Sequence, residues 1–210
     1  MNNKYKTLLI VIVILAIIAI GYLSYVRYQE SKLGPVSYES FKRAEENGKT
    51  FLENKEVGLK FEVPEGWKTN YVFGWTSLSM QSEDFKVFNE KNYPIPEKGC
   101  WINVVAEKQY LGKEDAEYLD AIELINDSEY LSSQNTDNNK YEVYYLDSIE
   151  SIKSNILIDQ NKDNQGNYIS VEVPYNNIYY SFETHLFGQD KEKCQEEFNN
   201  FLKTISIKKK

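Results

Sequence analysis

One histidine, two cysteines, five prolines and an excess of acid over base mark this 210-residue chain, and each shortage removes a class of chemistry. With His185 alone, paired-histidine metal sites and the helical HExxH arrangement are excluded. No glycine-rich phosphate loop, GxSxG elbow or dinucleotide fingerprint occurs. The net charge is −8, which disfavours nucleic acid and anionic lipid head groups as partners, and the terminal Lys208-Lys209-Lys210 reads as a solvated tail. No catalytic set and no cofactor motif is visible.

What the chain does have is one long apolar run, Leu8 to Leu23. Between Lys6 and Arg27, residues 7–26 carry no charge, and at helical rise they span about 30 Å, the thickness of a bilayer's hydrocarbon core. The run predicts an N-terminal transmembrane helix. Lys4 and Lys6 precede it and an acidic chain comes after it, so the N-terminus is expected in the cytoplasm and the bulk outside. Without Lys4 and Lys6 the 24 basic residues become 22 against 32 acidic ones, so the exterior part carries −10. The alternative, a cleaved signal peptide, has only Ala19-Ile20-Gly21 as a cleavage site, and that lies inside the run. Retention of Met1 to Tyr22 is the expectation.

The expected organisation is an anchor over 1–26, a tether over 27–49 broken at Gly34-Pro35, with Tyr38 to Asn47 as a candidate short helix, and one domain over 50–207. Seventeen tyrosines and ten phenylalanines favour sheet. Period-two alternation marks strands at 57–63, 76–80, 100–107, 141–149, 155–160, 168–173 and 178–186. Between 113 and 125 the period becomes helical: Ala116, Leu119, Ile122 and Ile125, with Tyr118 alongside, form an apolar stripe behind the acids Glu114, Asp115 and Glu117. Asn126 to Asn139 reads as a polar turn region. A closing helix over 190–205, with Asp190 as its cap, aligns Cys194, Phe198, Phe201, Leu202 and Ile205. The fold class is therefore α+β: one antiparallel sheet flanked by helices, with Phe61, Trp67, Ile102, Val104, Ile169, Val171, Phe182, Phe198 and Phe201 buried.

The run Gly58-Leu59-Lys60-Phe61-Glu62-Val63-Pro64-Glu65-Gly66-Trp67, the antiparallel meander and the closing helix together resemble the PsbP-like superfamily of extrinsic photosystem proteins and their non-photosynthetic relatives. The resemblance covers about residues 50–207. It implies an antiparallel sheet between helices and a non-catalytic assembly, scaffolding or protein-binding role.

Candidate sites are few. Alternation along 178–186 sets Tyr179, Ser181, Glu183 and His185 on the solvent side, so His185 reads as exposed rather than catalytic, and Tyr179, with Trp75 and Tyr93 near the irregular segment, is a candidate partner surface; the alternative is that these aromatics fill small satellite cores. Asp159, Asn161 and Asp163 stand at the first, third and fifth positions of a calcium loop. Asn164 at the sixth and Ser170 at the twelfth depart from that pattern, so residues 161–167 read as a polar hairpin loop, with weak calcium binding as the alternative. Cys100 shares a strand face with Ile102 and Val104, and Cys194 shares a helix side with Phe198 and Phe201. If that helix lies on that face the thiols meet, and a disulfide is expected in an oxidising compartment; two separate buried thiols or an intermolecular bridge are the alternatives. The functional expectation is a single-pass, membrane-anchored extracytoplasmic binding or structural module, held in the bilayer by residues 7–26, with a protein partner not named by sequence. The alternatives are a part of a membrane transport or secretion assembly and a carboxylate-based hydrolase.

Overall fold

Three two-residue turns set the sheet registers. Asn47-Gly48, Asp147-Ser148 and Asn176-Asn177 all have positive φ, from 48° to 76°, the type I′ geometry whose twist matches that of the strands it joins. They close Glu46 on Lys49, Leu146 on Ile149 and Tyr175 on Ile178. The computed structural model describes residues 12, 14, 15, 17–25, 34–71, 78–87, 96–109, 116–159 and 165–208. The chain divides into two units, Met1–Gly34 and Pro35–Lys210.

In the first unit the described residues from 12 to 25 are helical and exposed. Among the described residues no helix is long and apolar enough to cross a membrane.

The strand β1 (Gly34–Pro35) ends the first unit and opens the second, which continues with a 3-10 turn at Tyr38–Ser40, β2 (Lys42–Glu46), β3 (Lys49–Asn54), β4 (Leu59–Glu62), β5 (Lys68–Tyr71) and β6 (Leu78–Gln81). A short ribbon comes next, β7 (Lys86–Val87) with β8 (Pro96–Lys98), and then β9 (Trp101–Lys108). Helices α1 (Ala116–Asn126) and α2 (Ser128–Gln134) lead into the meander β10 (Asn139–Leu146), β11 (Ile149–Asp159), β12 (Gln165–Tyr175) and β13 (Ile178–Leu186). A 3-10 turn, α3 (Lys191–Leu202) and β14 (Ser206–Ile207) end the chain.

The single sheet expected from periodicity is two principal ones. The large sheet runs β10-β11-β12-β13-β9-β6-β5 with β1 beside β9, and the small one β14-β4-β3-β2; the paired ladders are antiparallel. Leu59 and Phe61 of the small sheet, Ile102, Val104, Val171 and Phe182 of the large sheet, and Phe198 and Phe201 of α3 form one core. Phe201 joins the two sheets, with its ring 5.5 Å from that of Phe61 and 6.1 Å from that of Phe182.

Three local expectations are corrected. Lys42 to Glu46 is a strand, not tether or helix, because the Asn47-Gly48 turn folds it onto β3; it remains a charged edge whose Glu46 pairs with Lys60 at 2.7 Å, as exposed edges require. Asp190 stands before α3 without capping it, since its carboxylate accepts the Gly99 N–H at 2.9 Å. The region after Asn126 contains a helix, α2, because Asp127 accepts the amides of Glu129 and Tyr130 at 2.9 and 3.0 Å, a cap that the polar composition concealed.

Candidate protein-interaction site

The face of the large sheet turned away from the core carries a row of polar side chains in register across seven strands: Tyr141, Ser154, Ser170, Glu183, Asn103, Ser79 and Asn70. Buried polar groups are costly unless bonded, and the row is largely bonded within itself. Ser154 and Ser170 hydroxyls meet at 2.7 Å, and Ser170 donates to Glu172 at 2.9 Å. Glu183 receives Ser181 at 2.9 Å on one oxygen and Asn103 at 3.1 Å on the other. Burial raises the Glu172 carboxyl above the usual carboxylate range, against hydrogen bonds from Ser170 and Tyr179 that lower it. With its oxygens occupied by neighbours, the Glu183 carboxylate works as a cross-strand tie. Among the described residues no three His, Cys, Asp or Glu side chains converge to hold a metal.

Over β13 this face is covered, which overturns two expectations. Tyr179 is buried beneath α1, in contact with Tyr118 and Ala121, and His185 is buried among the rings of Trp101 at 5.1 Å, Tyr168 at 5.2 Å and Phe187 at 6.0 Å. The physical reason is that β13 lies inside the sheet and layers cover both its faces, whereas alternation alone implies one wet face. Aromatic residues at Trp101, Tyr168 and Tyr179 on the supposedly wet side are the available signal. Burial pushes the His185 imidazole from 6.5 down to about 4. The fold favours the neutral ring, so its contribution is present above pH 6.5 and is lost as pH falls through about 4. At about 1.4 kcal/mol per pH unit, unfolding free energy is expected to drop by about 3 kcal/mol across that window. Denaturation titrated against pH should show this segment of slope in the parent and lose it in His185→Gln.

The helix α1 presents a second surprise. The apolar stripe expected from sequence is Ala116, Leu119, Ile122 and Ile125, but the residues the helix buries are Tyr118, Ala121 and Leu124. Leu119 is 51 % exposed and Ile122 and Ile125 are half-buried. The helix thus has two apolar stripes at helical spacing, and the sheet takes the one over Tyr179. Ile122 and Ile125 of the other stripe form a wall of an open groove of about 650 Å³, completed by Tyr145, Ile149, Pro174 and Tyr175. Glu150 lies in the groove and accepts the Tyr145 hydroxyl at 2.8 Å. Tyr145 is 61 % exposed and Val143, on the same strand face, 39 %. A groove that combines exposed apolar side chains with a polar rim is one form an interaction surface takes.

Of the residues singled out from sequence, Trp75 and Tyr93 lie outside the described residues, as do Asn161 and Asp163; Asp159 ends β11. Trp67 is half-buried, packed against the core's edge and lining a second groove with Glu65, Ser82, Asp84, Lys193 and Glu197. Cys100 and Cys194 are joined in a buried disulfide, Cα atoms 5.1 Å apart. The surface that sequence reasoning missed is Leu119, Ile122, Val143 and Tyr145.

No family model matches the chain, and no curated protein matches it. Solved structures are similar to it in fold. One is a crystal structure from Bacteroides thetaiotaomicron VPI-5482, 14 % identical with a TM-score of 0.45 over 73 % of this chain; the chain spans 46 % of that protein's length. Another is the solution structure of cyanobacterial PsbP (CyanoP) from Synechocystis sp. PCC 6803, 11 % identical with a TM-score of 0.41, covering 82 % of this chain and 95 % of that one.

Proposed function

We propose that this chain is a single-pass membrane protein whose extracytoplasmic domain is a non-catalytic module that binds another protein through the groove between α1 and the β10–β11 hairpin. The observation that carries the reading is the half-exposed second stripe of α1, with Ile122 and Ile125 lining the groove and Leu119 exposed on the same stripe, together with the exposed Tyr145. The anchor rests on the uncharged run of residues 7–26, and the exposure of Ile14, Leu15, Ile17, Ile18 and Leu23 suits side chains that lipid covers. The disulfide suits an oxidising compartment outside the cytoplasm.

The test is photo-crosslinking in intact cells expressing the full chain, with the reactive residue at position 122 and, as control, at position 45 on β2. The expected result is a discrete adduct from position 122 alone, digested together with the domain by protease added outside. Equal labelling from both positions removes the binding face, and complete protease protection removes the topology.

A further inference from the structure

We propose that the groove is entered by strand addition: an extended segment of another protein pairs with the outer edge of β10 at Val143 and Tyr145, placing an apolar side chain and a neighbouring lysine or arginine on the groove face. This rests on the binding role proposed above and names the chemistry of its partner.

The backbone supplies the first part. β10 is the terminal strand of the large sheet, and in an antiparallel ladder the N–H and C=O of successive residues point alternately to either side. The Asp147-Ser148 turn closes Leu146 on Ile149, so Asn139, Tyr141, Val143 and Tyr145 direct their backbone groups outward. The first two are capped by the incoming loop. Asn139 N–H donates to the Thr136 hydroxyl at 3.0 Å and its carbonyl accepts the Thr136 N–H at 2.9 Å. Tyr141 N–H donates to Asn135 Oδ1 at 2.7 Å and its carbonyl accepts Asn135 Nδ2 at 3.2 Å. Among the described residues nothing caps Val143 or Tyr145 in this way. Half of the edge is closed by Thr136 and Asn135 in the manner of a paired strand, and among the described residues the half beside the groove carries no such cap. An open edge bearing exposed apolar side chains is the template that strand addition uses.

Charge decides the occupant. The groove holds Glu150 and no basic residue, and Glu123 is exposed on α1 next to Ile122. On the opposite strand face Glu142 is exposed, with Lys153 at 3.7 Å, and Lys140 lies on the capped half of the edge. An arginine or lysine stem can lie along the Tyr145 ring and carry its charge to Glu150. A second copy of this chain brings the same Glu150 to this edge, and like charges face to face disfavour it.

The test uses full-length protein in lipid nanodiscs and a nine-residue threonine-based peptide with leucine third and arginine fifth. Three further peptides accompany it: glutamate in place of arginine, N-methylation at leucine and arginine, and N-methylation at the threonines flanking them. The expected result is binding of the parent peptide, at least tenfold loss with glutamate, and abolition by one methylation pattern while the other is tolerated, because only one set of N–H groups faces β10. Glu150→Gln should weaken the parent peptide severalfold, and Val143→Pro should abolish it. No binding of the parent peptide at millimolar concentration overturns the proposal, as does equal tolerance of both methylation patterns. A self-associated chain that Val143→Pro dissociates also overturns it, in favour of a second copy. An adduct at position 122 in cells with no peptide pairing leaves the binding role standing and removes only the strand mode.

Discussion

Replacing Cys100 and Cys194 together by alanine is expected to lower the unfolding free energy by up to about 4.7 kcal/mol, the value of the chain-entropy picture for a loop of about a hundred residues. The bridge closes a sequence separation of 94 residues, tying the head of β9 to the first turns of α3, so most of the domain lies within the loop whose unfolded freedom it restricts. Both side chains are buried, and alanine leaves no unpaired polar group behind. Urea denaturation of the double variant and of reduced parent protein should agree, since both lose the same crosslink. In the unreduced parent, a thiol alkylating agent applied after denaturation should label neither cysteine. A double variant with an unchanged urea midpoint would mean that the unfolded chain is restricted by something else.

Phe201→Ala is expected to cost about 3 to 5 kcal/mol, toward the upper end. Its ring is buried and stands 5.5 Å from Phe61, 6.1 Å from Phe182 and 6.4 Å from Phe198. Truncation therefore opens a cavity where the small sheet, the large sheet and α3 converge, and it removes edge and tilted ring contacts beyond the area term. A backbone held in two sheets and a helix cannot collapse into that space without moving one of them. Phe198→Ala, a neighbour with fewer ring partners among the described residues, should cost less. The comparison is made from urea midpoints at constant slope; a loss below about 1 kcal/mol for Phe201→Ala would place the junction of the sheets elsewhere.

Much of the domain is legible in the sequence because local pattern and tertiary demand agree. The faces of Ile102 and Val104, of Ile169, Val171 and Val173, and of Phe198 and Phe201 come from periods of two and 3.6, and those residues are the core. The Cys100–Cys194 bridge is legible for the same reason, since each cysteine lies on such a face. The turns are less so. Asn47-Gly48 carries a hairpin signature, yet the charged strand before it has the composition of a tether, and Asp147-Ser148 adopts positive φ without a glycine, so periodicity does not separate β10 from β11 at their true boundary.

By itself the sequence determined the apolar run of residues 7–26, the acidic balance of residues 27–210, the alternation of the strands and the two faces that the cysteines share, because each depends on residues near one another in the chain. Only the tertiary structure decided which of the two stripes of α1 is buried, since both satisfy helical spacing and the choice lies with Tyr179 on a strand more than fifty positions away. It likewise decided that Tyr179 and His185 are inside, because a strand's second face is wet or dry according to what other elements lie over it. The groove at Ile122 and Tyr145 and the uncapped edge at Val143 result from these choices: a half-exposed stripe and an uncapped half-strand are defined by what the other described elements do not cover.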